Sequence, residues 1–448
     1  MEKIEEKIAA MVSEAGGTAY YVGGFVRDRL LGRECKDVDI EVHGISADAL
    51  RDILATLGTP LSYGESFGIF SLAGCDIDIA MPRTEKAVGR GHRDFDVSVD
   101  PFIGTEAAAR RRDFTINALM QDVLSGEITD HFGGLADLEA GIIRHVNDDS
   151  FVEDPLRVFR CAGFAARFGF SVAAETSALC RSMDTSALSK ERVEAELRKA
   201  VLQSERPSVF FECLRDMDQL LPWFSEINDL IGVEQDPVYH PEGDVWTHTM
   251  EVVDRAAGMR DQASDPFCFM LLALLHDLGK TVTTEFVNGR IHAYDHENQG
   301  LPLAESLLRR ITADKSVIRY VMNMIPLHMR PNMCAYSKSS VKSTNRLFDS
   351  SASPGDLVLF ASADRPVMVG SESYEGDRTF LDERLSLYEE MMARPYVTGG
   401  DLIEAGLSPG EDFSDILAYA HKLRLAGTEK ESALKQTLSY AYKLRRKS

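Results

Sequence analysis

Asp37 and Asp39 stand two residues apart in KDVDIE, a short helix downstream of the Gly23-Gly24 pair in YYVGGFVRDRLLG. Side chains alternate along a strand, so acids at i and i+2 share a face, and hard oxygen ligands placed this way suit Mg²⁺. Glycines let backbone amides approach a bulky anion, phosphate being the usual one. Arg27 lies in the first turns of the helix that follows, whose amides favour negative charge. A second acid pair, Asp76 and Asp78, repeats the spacing in GCDIDIA. Further along, Asp154, Arg157 and Arg160 fall three apart in EDPLRVFR and lie on one side of a helix.

The elements that must hold these residues read as follows. Ile4, Ile8 and Met11 give residues 1–16 a helical apolar face. Tyr20–Val22 form a strand, Val26, Leu30 and Leu31 recur at helical spacing, and Gly32 ends that helix. A helix over 46–57 has Ser46 as its cap. YGESFGIFSLAGCDIDIAMPR reads as two strands joined at Ala73-Gly74, whereas 84–100, polar and without periodicity, reads as a loop. Ile116, Leu119 and Met120 give RRRDFTINALM a core face. Pro155 fits the first turn of a helix whose N-terminal dipole suits Glu153 and Asp154. Residues 175–235 are helical by pattern, with Ser189 as a cap. The expected fold class is α+β: a small mixed-sheet head followed by a helical remainder.

Composition bounds the partners. The chain has 448 residues, ordinary apolar content and a net charge of −22. Phosphate binding needs local positive charge, not a basic total, and basic clusters occur at 110–112, at Arg157, Arg160 and Arg167, at Lys338 and Lys342, and in the tail KLRRKS. No apolar run approaches a membrane span. Seven single cysteines without C-x-x-C pairs fit a reducing cytoplasm.

GG-x-x-R-D-x-L-L-G followed by D-x-D, then R-R-D-F-T-x-N-A-L and E-D-x-x-R, resembles the class II (bacterial-type) tRNA CCA-adding nucleotidyltransferase and poly(A) polymerase family. The resemblance implies a polymerase beta-like head in which Asp37, Asp39 and, aligning better than Asp76, Asp78 form a catalytic acid cluster. Asp37 and Asp39 would hold Mg²⁺. Gly24, Arg27 and Arg112 would bind the nucleotide's phosphates, and Asp113 and Asn117 would hold ribose or brace their motif. Asp154 and Arg157, supported by Arg160, would select the base of CTP or ATP. Many relatives carry a further Arg where this chain has Gly163, so one contact is missing or comes from elsewhere. Glu191 and Arg192 would brace the neck.

VWTHTMEVVDRAA and LLALLHDLGK resemble the HD metal-phosphohydrolase superfamily. His248, His276, Asp277, His296, His328 and Asp364 are then the expected ligands of one or two divalent metals, with Mg²⁺, Mn²⁺, Ni²⁺ and Fe all compatible. His240 and His292 are left unassigned. The implied division is a nucleotidyltransferase head over 1–146, a helical neck and body over 147–235, an HD domain over 236–370 and a tRNA-gripping tail over 371–448. The implied function is template-independent addition of CCA to tRNA 3′ ends from CTP and ATP in the cytoplasm, together with a metal-dependent phosphohydrolase activity of the HD domain, with no membrane partner and the oligomeric state left open. Poly(A) polymerase, a CC- or A-adding enzyme, and an HD phosphodiesterase or phosphatase with an RNA-binding head are the competing readings.

Overall fold

The computed structural model describes residues 3–35, 37–62, 68–87, 95–365 and 372–446. The chain divides into two compact units, Met1–Trp223 and Phe224–Ser448.

The first unit opens with the helix Ile4–Glu14, which buries Ile8, Ala9 and Val12. Strands β1 (Thr18–Val22), β2 (Val38–His43), β3 (Pro60–Ser62), β4 (Ile69–Leu72) and β5 (Ile77–Ala80) follow. β6 (Arg83–Ala87) and β7 (Phe95–Val99) pair with each other, and β8 (Met120–Asp122) and β9 (Ile128–Thr129) return to the main sheet. That sheet runs β3-β4-β5-β2-β1-β8-β9. Its β2–β5 pair is parallel and the other pairs are antiparallel, so the sheet is mixed as expected. Alternation in DVDIEVH sends Ile40 and Val42 into the core and leaves Asp37, Asp39, Glu41 and His43 to the other face. The helix Ala47–Leu57 covers the core side with Leu50 and Leu54, and its Ser46 cap accepts the Ala49 amide at 3.3 Å.

The loop expected over 84–100 is corrected by the β6–β7 hairpin, whose register runs from Arg83↔Val99 to Ala87↔Phe95. FDVSV alternates with period two over so few residues that the polar flanks mask it. Residues 88–94 of that segment, and 63–67 of the preceding one, lie outside the described residues.

The helices Asp148–Phe151, Leu156–Phe168, Ala174–Arg181, Lys190–Gln203 and Ser208–Asp216 complete the unit. A two-residue parallel pair, β10 (Ile142–Ile143) with β11 (Ser171–Val172), sits among them. Ser189 starts the helix Lys190–Gln203 without a capping hydrogen bond from its side chain. Phe114, fully buried, meets Phe151 and Phe164 edge-on at 5.6 and 5.5 Å and joins the RRRD segment to these helices. Truncating such a ring costs about 3–5 kcal/mol.

The second unit is helical apart from the antiparallel hairpin of β12 (Thr284–Val287) and β13 (Arg290–Ala293). The helix Pro266–Leu275 is buried from Phe267 onward and ends at His276. Among the described residues no helix is long and apolar enough to cross a membrane.

Candidate functional site

The β2–β5 register sets Asp39 directly opposite Asp78. Asp37 precedes β2 by one residue, two before Asp39 in the alternation, and Asp76 lies in the turn before β5. Burial raises the Asp39 carboxyl above its ordinary range; Arg112 pulls it back, and the negative charge of Asp78 and Asp37 lifts it again. Acids that repel each other in this way fit a hard cation, which would remove the repulsion. Gly23 adopts φ +66°. A β-carbon there would lie 3.1 Å from Arg112 Nη1 and 3.8 Å from Asp39 Oδ2, so the glycine keeps the turn close to both.

Arg112 is held from behind. Its Nη2 donates to Glu41 Oε2 at 3.2 Å, Arg111 Nη2 lies 3.7 Å from the same oxygen, and His43 Nε2 meets Glu41 Oε1 at 2.9 Å. Glu41 is 1% exposed. Burial would raise its carboxyl, but the His43 hydrogen bond and the Arg112 and Arg111 guanidiniums bring it down to about 2. Sequence reasoning missed Glu41 and His43, although their parity with Asp37 and Asp39 in DVDIEVH carried the signal.

The expected nucleotide ligands are committed elsewhere to differing degrees. Arg27 is 4% exposed. It grips Asp28 through Nε and Nη2, donates from Nη1 to Asn117 Oδ1 at 2.6 Å, and stacks on Phe164 and Phe168. A β-carbon at Gly24 would meet only that guanidinium, at 3.4 Å. Asp113 accepts from Arg160 Nε at 2.7 Å, from Asn117 Nδ2 at 3.0 Å and from the Phe114 amide. Burial opposes its charge, and Arg160, Asn117 and Arg157 together hold the carboxyl below its ordinary range. Asp113 and Asn117 therefore brace their motif here. Arg157 donates to the carbonyls of Ser150 and Arg111 at 2.6 and 2.8 Å. Asp154 accepts the Leu156 amide at 3.1 Å and takes Arg192 Nη2 at 2.9 Å.

Gly163 is buried, and a β-carbon there would sit 3.8 Å from Oε2 of buried Glu196, whose Oε1 accepts from Lys199 Nζ at 2.8 Å.

In the second unit the expected ligands converge. Nδ1 of His276, His296 and His328 faces the carbonyl three residues back, Ala273, Ala293 and Ile325, at 2.9, 2.9 and 2.7 Å. A carbonyl only accepts, so each Nδ1 carries a proton and each ring turns its Nε2 into the cluster. His248 does the same against Glu242 Oε1 at 2.7 Å. The four Nε2 atoms gather on two acids. Asp364 Oδ1 is 3.2 Å from His248 and 3.3 Å from His276. Asp277 Oδ2 is 3.2 Å from His276, and its Oδ1 is 3.2 Å from His296 and 3.9 Å from His328.

His276 Nε2 is buried without a hydrogen-bond partner, and Nε2 of His296 and of His328 face each other at 3.4 Å. Ring nitrogens pointing at one another beside buried carboxylates are the chemistry of a divalent-metal site. Burial disfavours charge on His276, yet Asp277 and Asp364 lift it to about 10. Burial and the neighbouring His276 push His328 down to about 4. The sequence order missed Glu242, which also takes His240 Nδ1 at 2.9 Å.

Gly279 makes the convergence possible. A β-carbon there would lie 1.9 Å from the His296 carbonyl oxygen and 2.7 Å from the Gly300 amide nitrogen. The bare backbone lets the helix that starts at His296 dock beside the His-Asp pair. Among the described residues, groups of three metal-capable residues with ligand atoms within 4.8 Å of one another occur at His248/His276/Asp364, Asp277/His296/His328 and His240/Glu242/His248.

Comparison with known proteins follows the same division. The Poly A polymerase head domain family matches residues 19–144, and the HD domain family matches 245–359. The Multifunctional CCA protein of Alkalilimnicola ehrlichii is 34% identical over 393 residues, 85% of this chain and 92% of that protein. Its counterpart in Pseudomonas aeruginosa is 41% identical over 298 residues, 65% of this chain and 69% of that protein. The fold matches the Thermotoga maritima CCA-adding enzyme complexed with tRNA, with a TM-score of 0.65 at 20% identity over 98% of this chain and 95% of that one. With its acid row, its histidine cluster and these relatives, the chain belongs to the family of CCA-adding enzymes, tRNA nucleotidyltransferases that join a Poly A polymerase head to an HD domain.

Proposed function

We propose that the protein adds C, C and A to tRNA 3′ ends from CTP and ATP in the cytoplasm. The observation that carries this reading is the register of Asp39 against Asp78, with Asp37 two residues before Asp39. These three acids would hold Mg²⁺, which when bound lowers the pKa of the primer hydroxyl and neutralises the pyrophosphate. Gly23-Gly24 offers close backbone approach to the triphosphate. Arg112, held by Glu41, extends a guanidinium to the edge of the acid row where phosphate charge would sit. Arg27 keeps that wall in place through Asn117 and the two phenylalanines. Asp154 accepts from the amino group of cytosine or adenine, and Arg157 donates from the N–H groups it does not spend on carbonyls. Arg160 locks this helix to Asp113. The four-part division at 146, 235 and 370 assigns nucleotide selection to the helices after the head and tRNA grip to the tail.

Purified protein incubated with tRNA lacking one, two or three terminal residues, each nucleotide supplied separately, tests this. Restoration of CCA in order supports it. Growth of an A tract points to poly(A) polymerase, and arrest after CC or extension by A alone points to a partial enzyme.

The converging Nε2 atoms favour a second activity, metal-dependent phosphohydrolysis at the HD centre. His248, His276, Asp277, His296, His328 and Asp364 would hold one or two divalent ions. A divalent ion bound there supplies an activated water at neutral pH. Hydrolysis of a 2′,3′-cyclic phosphate that vanishes in His276→Ala supports this activity.

A further inference from the structure

Arg167 is a cation without a counter-ion. It stands near the end of the helix Leu156–Phe168, half-buried, and among the described residues its guanidinium makes neither a hydrogen bond nor an ion pair. It lies over rings instead, 5.8 Å from the centre of Phe164 and 5.4 Å from that of Phe168. Phe168 carries two more guanidiniums, Arg27 at 4.6 Å and Arg33 at 4.8 Å. Asp28 neutralises Arg27. Arg33 is exposed, and among the described residues it reaches only the Phe168 ring and the Arg167 carbonyl, the latter 3.4 Å from each terminal nitrogen. Burial and the charge of Arg27 hold Arg167 below its ordinary pKa; Asp28 and Glu196 pull it back, and Arg33 repels it further. Both acids are engaged elsewhere, Asp28 by Arg27 and Glu196 by Lys199. Arg33 and Arg167 therefore share one ring with no carboxylate of their own. Ring contacts offset part of the repulsion, and a bound anion would relieve it.

The place of the cluster in the head bears on which anion. Arg160, Gly163 and Arg167 fall at i, i+3 and i+7 on one side of their helix. No side chain fills position 163, where a β-carbon would meet only Glu196 Oε2. From Arg157, at the expected base-selecting end, to Arg167 is about 15 Å of helix rise, on the scale of an extended nucleoside triphosphate. The glycine turn meets the cluster from another side, since a β-carbon at Gly24 would lie 3.4 Å from Arg27 Nη2. Beyond the helix Gly24–Leu30, the short connection that carries Arg33 leads into Asp37. The terminal phosphates of a nucleotide gather several negative charges in one place, whereas an RNA strand offers one per residue. Two adjacent uncompensated arginines beside the glycine turn match the former.

We propose that Arg33 and Arg167, with Arg27 behind them, form a subsite for the terminal phosphates of the incoming nucleotide and for the pyrophosphate it releases, and that they supply the contact that Gly163 lacks. The assignment rests on the nucleotidyl-transfer reading of the head. Phosphates of the tRNA backbone share this chemistry and are the other possible source.

The test uses the full chain as wild type, Arg167→Gln and Arg33→Gln/Arg167→Gln, which remove charge while keeping a long polar side chain. With tRNA lacking CCA, KM for CTP and for ATP rises about tenfold or more in the double variant, while KM for the tRNA stays within about twofold. A rise in KM for the tRNA alone assigns the two arginines to the RNA backbone and overturns the nucleotide subsite, as does no change in either. Titration calorimetry with inorganic tripolyphosphate, which has neither base nor ribose, is read independently of turnover. Wild type binds it, and the double variant binds it about tenfold more weakly. Equal affinity in the two proteins, or no binding to wild type, overturns the proposal. If wild type incorporates no nucleotide, the nucleotidyl-transfer reading fails while the tripolyphosphate titration still decides the subsite.

Discussion

The two candidate centres are built on opposite plans. In the head the acids stand along a sheet face, half-buried to exposed, with Arg112 and Glu41 beside them as a standing ion pair. In the second unit Nδ1 of His276, His296 and His328 is tethered to a carbonyl, and their Nε2 atoms meet a buried carboxylate at 3.2–3.9 Å. The acids of the first centre are reached by water, whereas most of the second centre's side chains are buried by the fold. Damage should therefore act differently: on turnover in the head, and on metal retention in the histidine cluster.

Asp78→Asn should break the head. Losing a metal carboxylate costs several kcal/mol of barrier, so CTP incorporation drops roughly a thousandfold. Asp76→Asn, in the turn before β5, should stay within a few-fold of wild type in the same assay. Equal losses would move the third acid to Asp76.

Gly279→Ala sharpens the other side. Its new methyl cannot coexist with the His296 carbonyl, so the docked segment must move. Metal content measured on the purified protein should fall by roughly tenfold to a hundredfold, as when ligand-orienting groups are lost, while CTP incorporation persists. Wild-type metal content would show that the close approach of Gly279 to His296 is dispensable.

Glu41→Gln separates placement from chemistry. The Glu41 carboxyl titrates near 4.5 when unfolded and about 2 when folded, so its stabilisation is full above pH 4.5 and is lost as the pH falls through 2. The variant should be less stable at neutral pH by up to about 3 kcal/mol, with the difference shrinking between pH 4.5 and 2 in chemical denaturation. A pH-independent difference would mean that the Arg112 and His43 contacts do not depend on that charge.

The smallest effect expected is at Gly163. A β-carbon there meets only Glu196 Oε2, at 3.8 Å. Gly163→Ala should stabilise by about 0.5–1 kcal/mol through helix propensity, measured by thermal unfolding. Strong destabilisation would mean the space is needed.

The legible part of the molecule was what strand and helix periodicity encode. Alternation in KDVDIE put Asp37 and Asp39 on one face, and the six residues expected from the HD resemblance come together in the second unit. Three things were not legible. Which acid faces Asp39 depends on the β2–β5 register, a long-range pairing that local pattern leaves open. The contacts that hold Arg27 and Arg157, to Asn117, Phe164 and the Ser150 carbonyl, come from tertiary packing that no local pattern encodes. The strands of 83–99 and 284–293 are so short that polar neighbours outweigh their alternation.

Incorporation of CTP and then ATP into tRNA lacking CCA, by wild type and by Asp39→Asn of unchanged circular dichroism, tests the central claim most directly. The account predicts that wild type restores CCA while the variant loses incorporation roughly a thousandfold or more and still retains the divalent metal of the histidine cluster. Incorporation by Asp39→Asn within tenfold of wild type would contradict it.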